Sequence, residues 1–338
     1  MFSRRSFLWL VALAWLSACS STPPVPADPN VRVRAAFDVG SGSTKVKVAR
    51  VDLKAGRVIE ALKLSEDSIK VAYKDALGKS TDKRLGDEIV SEGVAALKKL
   101  KAEAEKVGAT EFTGVATAAF RQAANGQAAV ERIAMEAGID LKMISQDEEA
   151  ILGFRGAAAV AGVDPERLVV WDIGGGSQQI VARNGGEYLI FKSDLGSDTL
   201  KQWILEEVKR TPNAATPNPL GKKAAEAGLR RVRNEMKGIP KVMRARLRAA
   251  DVTVVGIGGV HEKSVRDQVR GTVGTAFTRE QVMKALKERE SWTDERIGGN
   301  FAPNQVVNLI LVGGAGIGKV IPLAVNLGDG LLLGTDRR

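Results

Sequence analysis

The feature that most constrains the fold of this 338-residue chain is a glycine-rich loop that occurs twice, as Asp38-Val-Gly-Ser-Gly-Ser43 and as Asp172-Ile-Gly-Gly-Gly-Ser177. Each copy sits between two apolar segments. Val31 to Phe37 precedes the first and Val46 and Val48, alternating with lysines, follow it; Leu168 to Trp171 precedes the second and Ile180-Val181-Ala182 follows. Both places therefore read strand, loop, strand. Dinucleotide-binding and P-loop folds set their glycine loop between a strand and a helix, so the hairpin setting argues against them. Two matching loops, separated by enough chain for one domain each, predict a duplicated unit with a ligand held between the copies.

The loops suit a phosphate. Glycines at 40, 42, 174, 175 and 176 let successive backbone amides turn toward an anion, and Ser41, Ser43 and Ser177 add hydroxyl donors. Asp38 and Asp172 would repel a phosphate unless a cation lay between, so they read as holders of Mg2+ or another hard divalent cation, through water. With one His and one Cys in the chain, zinc sites and His-dependent triads are nearly excluded. The net charge of +10 suits a polyanion or an anionic membrane surface, while the low aromatic content, 5%, argues against a stacking platform for nucleic acid.

Between the loops, Leu85 to Val107 and Ala128 to Ala137 have helical spacing, and Gly114 to Ala118 reads as a short strand. Ser145-Gln-Asp-Glu148 has the form of a capping box that opens a helix through Ile151, Leu152 and Phe154. Such alternation predicts an α/β architecture. Lys222 to Arg248 is basic and amphipathic. Such a stretch lines a channel for a polyanion, lies on anionic lipid, or more often forms the solvated face of a packed helix.

At the N-terminus, Arg4 and Arg5 precede an apolar run from Phe7 to Ala18, which reads as an export signal over residues 1–18. Leu16-Ser17-Ala18-Cys19 looks like a lipobox, with Cys19 as the lipidated residue and residues 19–30 as a flexible tether. Ser3 to Leu8 also resembles a twin-arginine signal, and a general secretory route fits equally well. Either route predicts an exported protein, lipid-anchored in the cell envelope and facing the periplasm. A lone Cys permits no internal disulfide.

Asp38 to Ser43, Ala116-Thr-Ala-Ala-Phe-Arg121-Gln-Ala-Ala-Asn125, Ile144-Ser-Gln-Asp-Glu-Glu149-Ala, Asp172 to Ser177 and Gly256-Ile-Gly-Gly259 occur in the order and spacing of the exopolyphosphatase/guanosine pentaphosphate phosphatase (Ppx/GppA) family. The chain resembles that family over roughly Val31 to Gly334, as a short member. The resemblance implies two ribonuclease-H-like domains of the actin, Hsp70 and sugar kinase superfamily with a cleft between them. Domain I is expected over 31–143 plus 326–338 and domain II over 144–325. It further implies a hydrolase that releases phosphate from polyphosphate or a guanosine pentaphosphate-like substrate, with Glu149 as general base, Arg121 gripping the scissile phosphate, and Gly256, Gly258 and Gly259 as a third backbone contact. Glu149 in a first helical turn is expected to be held as the anion by the helix N-terminus. A homodimer is compatible with this reading, and no nucleic-acid partner is expected. Four positions depart from the family pattern: Gln179 replaces a metal-holding glutamate, Gly42 an asparagine, Val260 a threonine or serine, and Leu331 to Leu333 lack an arginine. Gln179 motivates an alternative, a non-catalytic envelope lipoprotein that binds a phosphorylated ligand. A kinase is the weakest reading, since ATP is scarce outside the cytoplasm.

Overall fold

The computed structural model describes residues 28–298 and 302–334; the export segment, the lipobox with Cys19 and most of the tether lie outside the described residues. Val31–Val39 (β1), Ser43–Asp52 (β2) and Arg57–Leu62 (β3) form an antiparallel meander, with Ser68–Lys70 (β4) also antiparallel to β2. Glu111–Ala116 (β5) and Asp140–Met143 (β6) extend it from β1 as parallel strands. The second sheet repeats the plan. Leu168–Ile173 (β7), Gln178–Asn184 (β8) and Glu187–Ser193 (β9) make the meander. Thr253–Ile257 (β10) runs parallel to β7, Phe277–Thr278 (β11) is antiparallel to Lys319–Pro322 (β12), and β12 is parallel to β10. Strand for strand, the order β3-β2-β1-β5-β6 matches β9-β8-β7-β10-β12. The expected α/β fold with two ribonuclease-H-like sheets is what the chain adopts.

Period-two alternation decides which way the loop aspartates point. In β1, Ala35, Phe37 and Val39 pack beneath Tyr73–Lys79 (α1), Asp87–Lys106 (α2), Ala118–Gln122 (α3) and Gly126–Ala137 (α4), whereas Ala36 belongs to the opposite face. Asp38 shares the face of Ala36. In β7, Val169, Trp171 and Ile173 join the outer core, and Leu168 and Val170 the inner one, so Asp172 also points inward.

Between the sheets lies the helix Gln146–Ala161 (α5), opened by the predicted capping box: Ser145 accepts from the Glu148 amide, and the Glu148 carboxylate accepts from the Ser145 amide at 2.8 Å. Ala150, Phe154 and Ala157 of α5 pack on the second sheet, while Leu152 meets the first sheet together with Leu327, Leu331 and Leu332 of the C-terminal helix Leu327–Leu332. A helix gripped by both sheets is a rigid place to mount a functional side chain.

Some boundaries differ from the sequence reading. The residues read as a strand to Ala118 leave the sheet at Ala116, because Thr117 turns the chain into α3 and donates its amide to the Val39 carbonyl. The basic stretch from Lys222 forms Gly221–Glu235 and Lys241–Arg248, separated by a tighter turn over Met236–Gly238 and by Pro240, which precedes the second helix. Its apolar residues Leu229, Val232, Met236 and Ile239 are buried in the outer core of the second sheet, so it is a packed, basic-faced helix pair. Among the described residues, no helix is long and apolar enough to cross a membrane.

Candidate active site

The two loops make the same turn. Gly40 donates to the Ser43 carbonyl at 3.0 Å, and Gly174 to that of Ser177 at 2.9 Å. Each is then held from outside. The Lys74 amide of α1 donates to the Ser41 carbonyl, and the Ser197 and Asp198 amides, opening the helix Ser197–Trp203 (α6), donate to Gly174 and Gly175. A peptide unit carries its C=O and N–H on opposite sides, so tying these carbonyls outward turns the amides of Gly42, Gly175 and Gly176 away from the helices. The loops also touch each other. A Cβ at Gly176 would stand 2.8 Å from Ser41 Oγ and 3.0 Å from the Ala118 Cβ, so only glycine permits the approach.

The third predicted glycine segment divides. Gly258, at φ +80°, closes on the second aspartate; a Cβ there would come within 2.7 Å of Asp172 Oδ1. Gly259 has open space where a side chain would be. Gly256 does not open onto the loops: it lies inside β10, and its missing side chain makes room for His261, whose ring atoms would be 2.4 Å from a Cβ. The expectation that Gly256 contacts phosphate is corrected accordingly. His261 is fully buried against Trp171 and Phe277, with its basicity depressed to about 3 by burial, which makes it a neutral core residue.

Where the inward faces meet α5, Glu149, Asp38 and Asp172 lie near enough to disfavour one another's charge. Glu149 is 8% exposed and lies in the first turn of α5. Its Oε2 is 2.7 Å from Arg121 Nη1, although that nitrogen directs a hydrogen bond to the Ile144 carbonyl at 3.1 Å, leaving Glu149 with an ion pair rather than an aligned hydrogen bond. Burial pushes the Glu149 carboxyl up to about 7; Arg121 opposes this, and Asp172 and Asp38 reinforce it. The expectation that the helix N-terminus would keep it an anion is thus outweighed by desolvation. Burial also raises Asp38, against the pull of Lys45, and raises Asp172 to about 6, with Asp38 adding to the rise. Asp172 is itself half-buried.

Reading the sequence missed Lys45. In the hairpin register it stands opposite Asp38, and Gln179 stands opposite Asp172, so aligning the two copies reveals the pair. Lys45 is the cation that opposes the rise of both aspartates. Gln179 is buried and donates to Ser177 Oγ at 3.2 Å. Asp198 was also missed: its half-buried carboxylate lies against Gly175, accepts from Asn304, and stands 4.0 Å from where a Gly42 Cβ would be.

Among the described residues, no three acidic, His or Cys side chains converge closely enough to ligate a metal directly. Mg2+ is commonly held by one or two carboxylates, several waters and substrate phosphates. Asp38 and Asp172, two mutually repelling carboxylates on the inward faces, fit that donor set.

The chain is thus a duplicated α/β fold with a glycine loop in each half and an acidic helix start between them. Residues 55–245, more than half of the chain, match the Ppx/GppA phosphatase family. The chain belongs to that family. The match spans Arg121, Glu149 and the second loop, while the first loop lies before it. Solved structures of similar fold include the Aquifex aeolicus PPX-GPPA enzyme, at 18% identity, covering 90% of this chain and 99% of that one, with a TM-score of 0.69. An exopolyphosphatase from Cytophaga hutchinsonii is similar at 16% identity, 89% and 96% coverage and a TM-score of 0.68. An exopolyphosphatase-like protein is similar at 19% identity, 90% and 97% coverage and a TM-score of 0.68.

Proposed function

We propose that the cleft hydrolyses the terminal phosphoanhydride bond of a polyphosphorylated substrate, polyphosphate or a guanosine pentaphosphate-like nucleotide, with Glu149 as general base. The observation that carries this reading is the Glu149 carboxyl itself, buried, poised near neutral pH and paired with Arg121 at the junction of both loops. A base is most effective when its pKa lies near the working pH.

The terminal phosphate is bound by the amides of Gly42, Gly175 and Gly176 and by the Ser41 and Ser177 hydroxyls. Arg121 swings from Glu149 to grip two phosphoryl oxygens, which frees the carboxylate. Glu149 takes a proton from water as the water oxygen bonds to phosphorus. The bridging P–O bond breaks, its electron pair leaves with the shortened chain, and orthophosphate remains between the loops. Asp38 and Asp172 would hold Mg2+, which when bound supplies positive charge against the developing negative charge on the phosphoryl oxygens. Release of phosphate from long-chain polyphosphate and from pppGpp, with Mg2+ and after chelation, tests this; turnover that persists undiminished without a divalent cation contradicts the role given to the aspartates.

The alternative of a non-catalytic phosphate-binding lipoprotein rests on Gln179, which brings an amide rather than a charge opposite Asp172. Tight binding of polyphosphate with no release would favour it. In either case Cys19 supports lipid anchoring in the envelope, and incorporation of labelled palmitate that is abolished by Cys19→Ser is the expected result.

A further inference from the structure

Eight of the chain's ten net positive charges fall in one short segment: residues 222–248 hold ten Lys and Arg against two carboxylates, Glu226 and Glu235. The segment forms the helices Gly221–Glu235 (α7) and Lys241–Arg248 (α8), joined by a tight turn over Met236–Gly238. Cations gathered so closely repel one another unless acids offset them. Here the offset is small. Every ion pair among the described residues uses cations outside residues 222–248. Glu235 accepts from Ser193 Oγ at 2.6 Å, and Asp251, just past α8, pairs with Arg167 at 3.9 Å.

The placement of the pair argues against a track that feeds phosphates to the cleft. Leu229, Val232 and Met243 pack into the outer core, on the side of the second sheet that Trp171 and Ile173 face, whereas Asp172 points to the other side. The sheet and its outer core therefore stand between Asp172 and these cations, which face solvent. The pair is also held in shape. Arg244 donates from Nε to the Ile239 carbonyl at 2.8 Å and from Nη2 to the Lys237 carbonyl, tying α8 to the turn, and Lys237 Nζ donates to Asn234 Oδ1 at 2.9 Å. On α8 the exposed residues are Lys241, Val242, Ala245 and Arg248, one stripe at helical spacing, with Lys237 exposed on the turn ahead. Val242 is 48% exposed, an apolar centre flanked by cations.

We infer that this helix pair is a docking face for an anionic phospholipid surface, with α8 lying in the headgroup layer and the second sheet between the lipid and Asp172. The occupant follows from the chemistry of the face. Unpaired cations meet lipid phosphates, and Val242 and Ala245 between them reach toward the acyl boundary, as in helices that lie along a membrane. Residues 222–248 contain no Phe, Tyr or Trp, so they offer nothing on which the bases of a nucleic acid could stack. The inference goes beyond the acylation proposed for Cys19 and does not need it. A lipid at Cys19 would hold the body near the membrane on a tether of residues 19–30, which extended reaches about 40 Å and so sets no orientation; the basic face would set it.

The test uses the chain from residue 19 onward with Cys19→Ser, which keeps every element of the described fold and carries no lipid. It should cosediment with phosphatidylcholine vesicles containing about 30% phosphatidylglycerol at about 0.1 M salt, leave them at about 0.5 M, and ignore vesicles of phosphatidylcholine alone. A basic residue at an anionic surface is worth about fivefold in partitioning, so Lys237→Gln, Lys241→Gln and Arg248→Gln together should weaken binding about a hundredfold. Val242→Ser, which changes no charge, should weaken it about threefold. A control with the same net charge, combining Lys79→Gln, Lys98→Gln and Lys142→Gln at exposed positions of the first half, should bind nearly as the parent does. Equal weakening by the two triple variants, or equal binding to neutral and anionic vesicles, overturns the docking face. Tighter binding of a single-stranded RNA than of the anionic vesicles, lost in the first triple variant, overturns the lipid assignment in favour of a soluble polyanion.

Discussion

At the scale of single residues, Glu149 concentrates the chemistry because every term that makes it useful also makes it costly. Burial and the nearby Asp172 and Asp38 raise its carboxyl to about 7, so the folded protein holds a proton there that the unfolded chain releases at ordinary acidity. The sign follows directly. The contribution to stability is present below the unfolded value and is lost as pH rises through about 7, where the carboxylate becomes a buried anion among others. Urea unfolding should therefore show the wild type losing stability relative to Glu149→Gln between pH 5 and pH 8, by on the order of 2 to 3 kcal/mol. Activity runs the other way: kcat/KM should climb with pH and level off above about 7, since only the deprotonated base accepts a proton. Mg2+ at Asp38 and Asp172 would draw that midpoint downward by cancelling their repulsion. A pH-independent difference in unfolding would remove the physical basis assigned to the base.

At the scale of elements, the paired hairpins hold the site by contact between loops. Gly176→Ala would press a methyl against Ser41 Oγ and the Ala118 Cβ. The hydroxyl can rotate but the alanine of α3 cannot, so the loops must part. The expected cost is about 1 to 3 kcal/mol in unfolding, with a raised KM for any phosphorylated substrate; an unchanged KM together with unchanged stability would show that the loops do not close on one another. This is also the scale at which the sequence was most and least legible. The strand-loop-strand repeats, the Ser145 to Glu148 cap and the rise of α5 were readable because turn chemistry and capping are local. The surroundings of Gly256 were not, since they are set by its pairing with β12, distant in sequence, and by the inward packing of His261 that this allows. Lys45 and Gln179 were visible as letters, but their partnership with the aspartates appears only in the hairpin register. The titration of Glu149 was misjudged for the same reason: the helix dipole is a local effect, while desolvation depends on how both sheets close over the helix.

At the scale of the whole molecule, one plan used twice explains why the site exists. Each half brings a strand-end aspartate and a glycine loop to the inward face of its sheet, and α5 with the C-terminal helix fills the space between. Neither half holds a complete site, because Arg121 comes from the first half and the second loop from the other, with Glu149 on the helix they share. The account stands on that shared carboxylate converting a phosphate cradle into a hydrolase. The most direct test is the rate of orthophosphate release from long-chain polyphosphate by wild-type and Glu149→Gln protein at pH 8 with Mg2+, with circular dichroism confirming that both are folded. The account predicts release by the wild type and a loss of about a hundred- to ten-thousand-fold in the variant. Equal rates in the two proteins, whether rapid or at background, would contradict it.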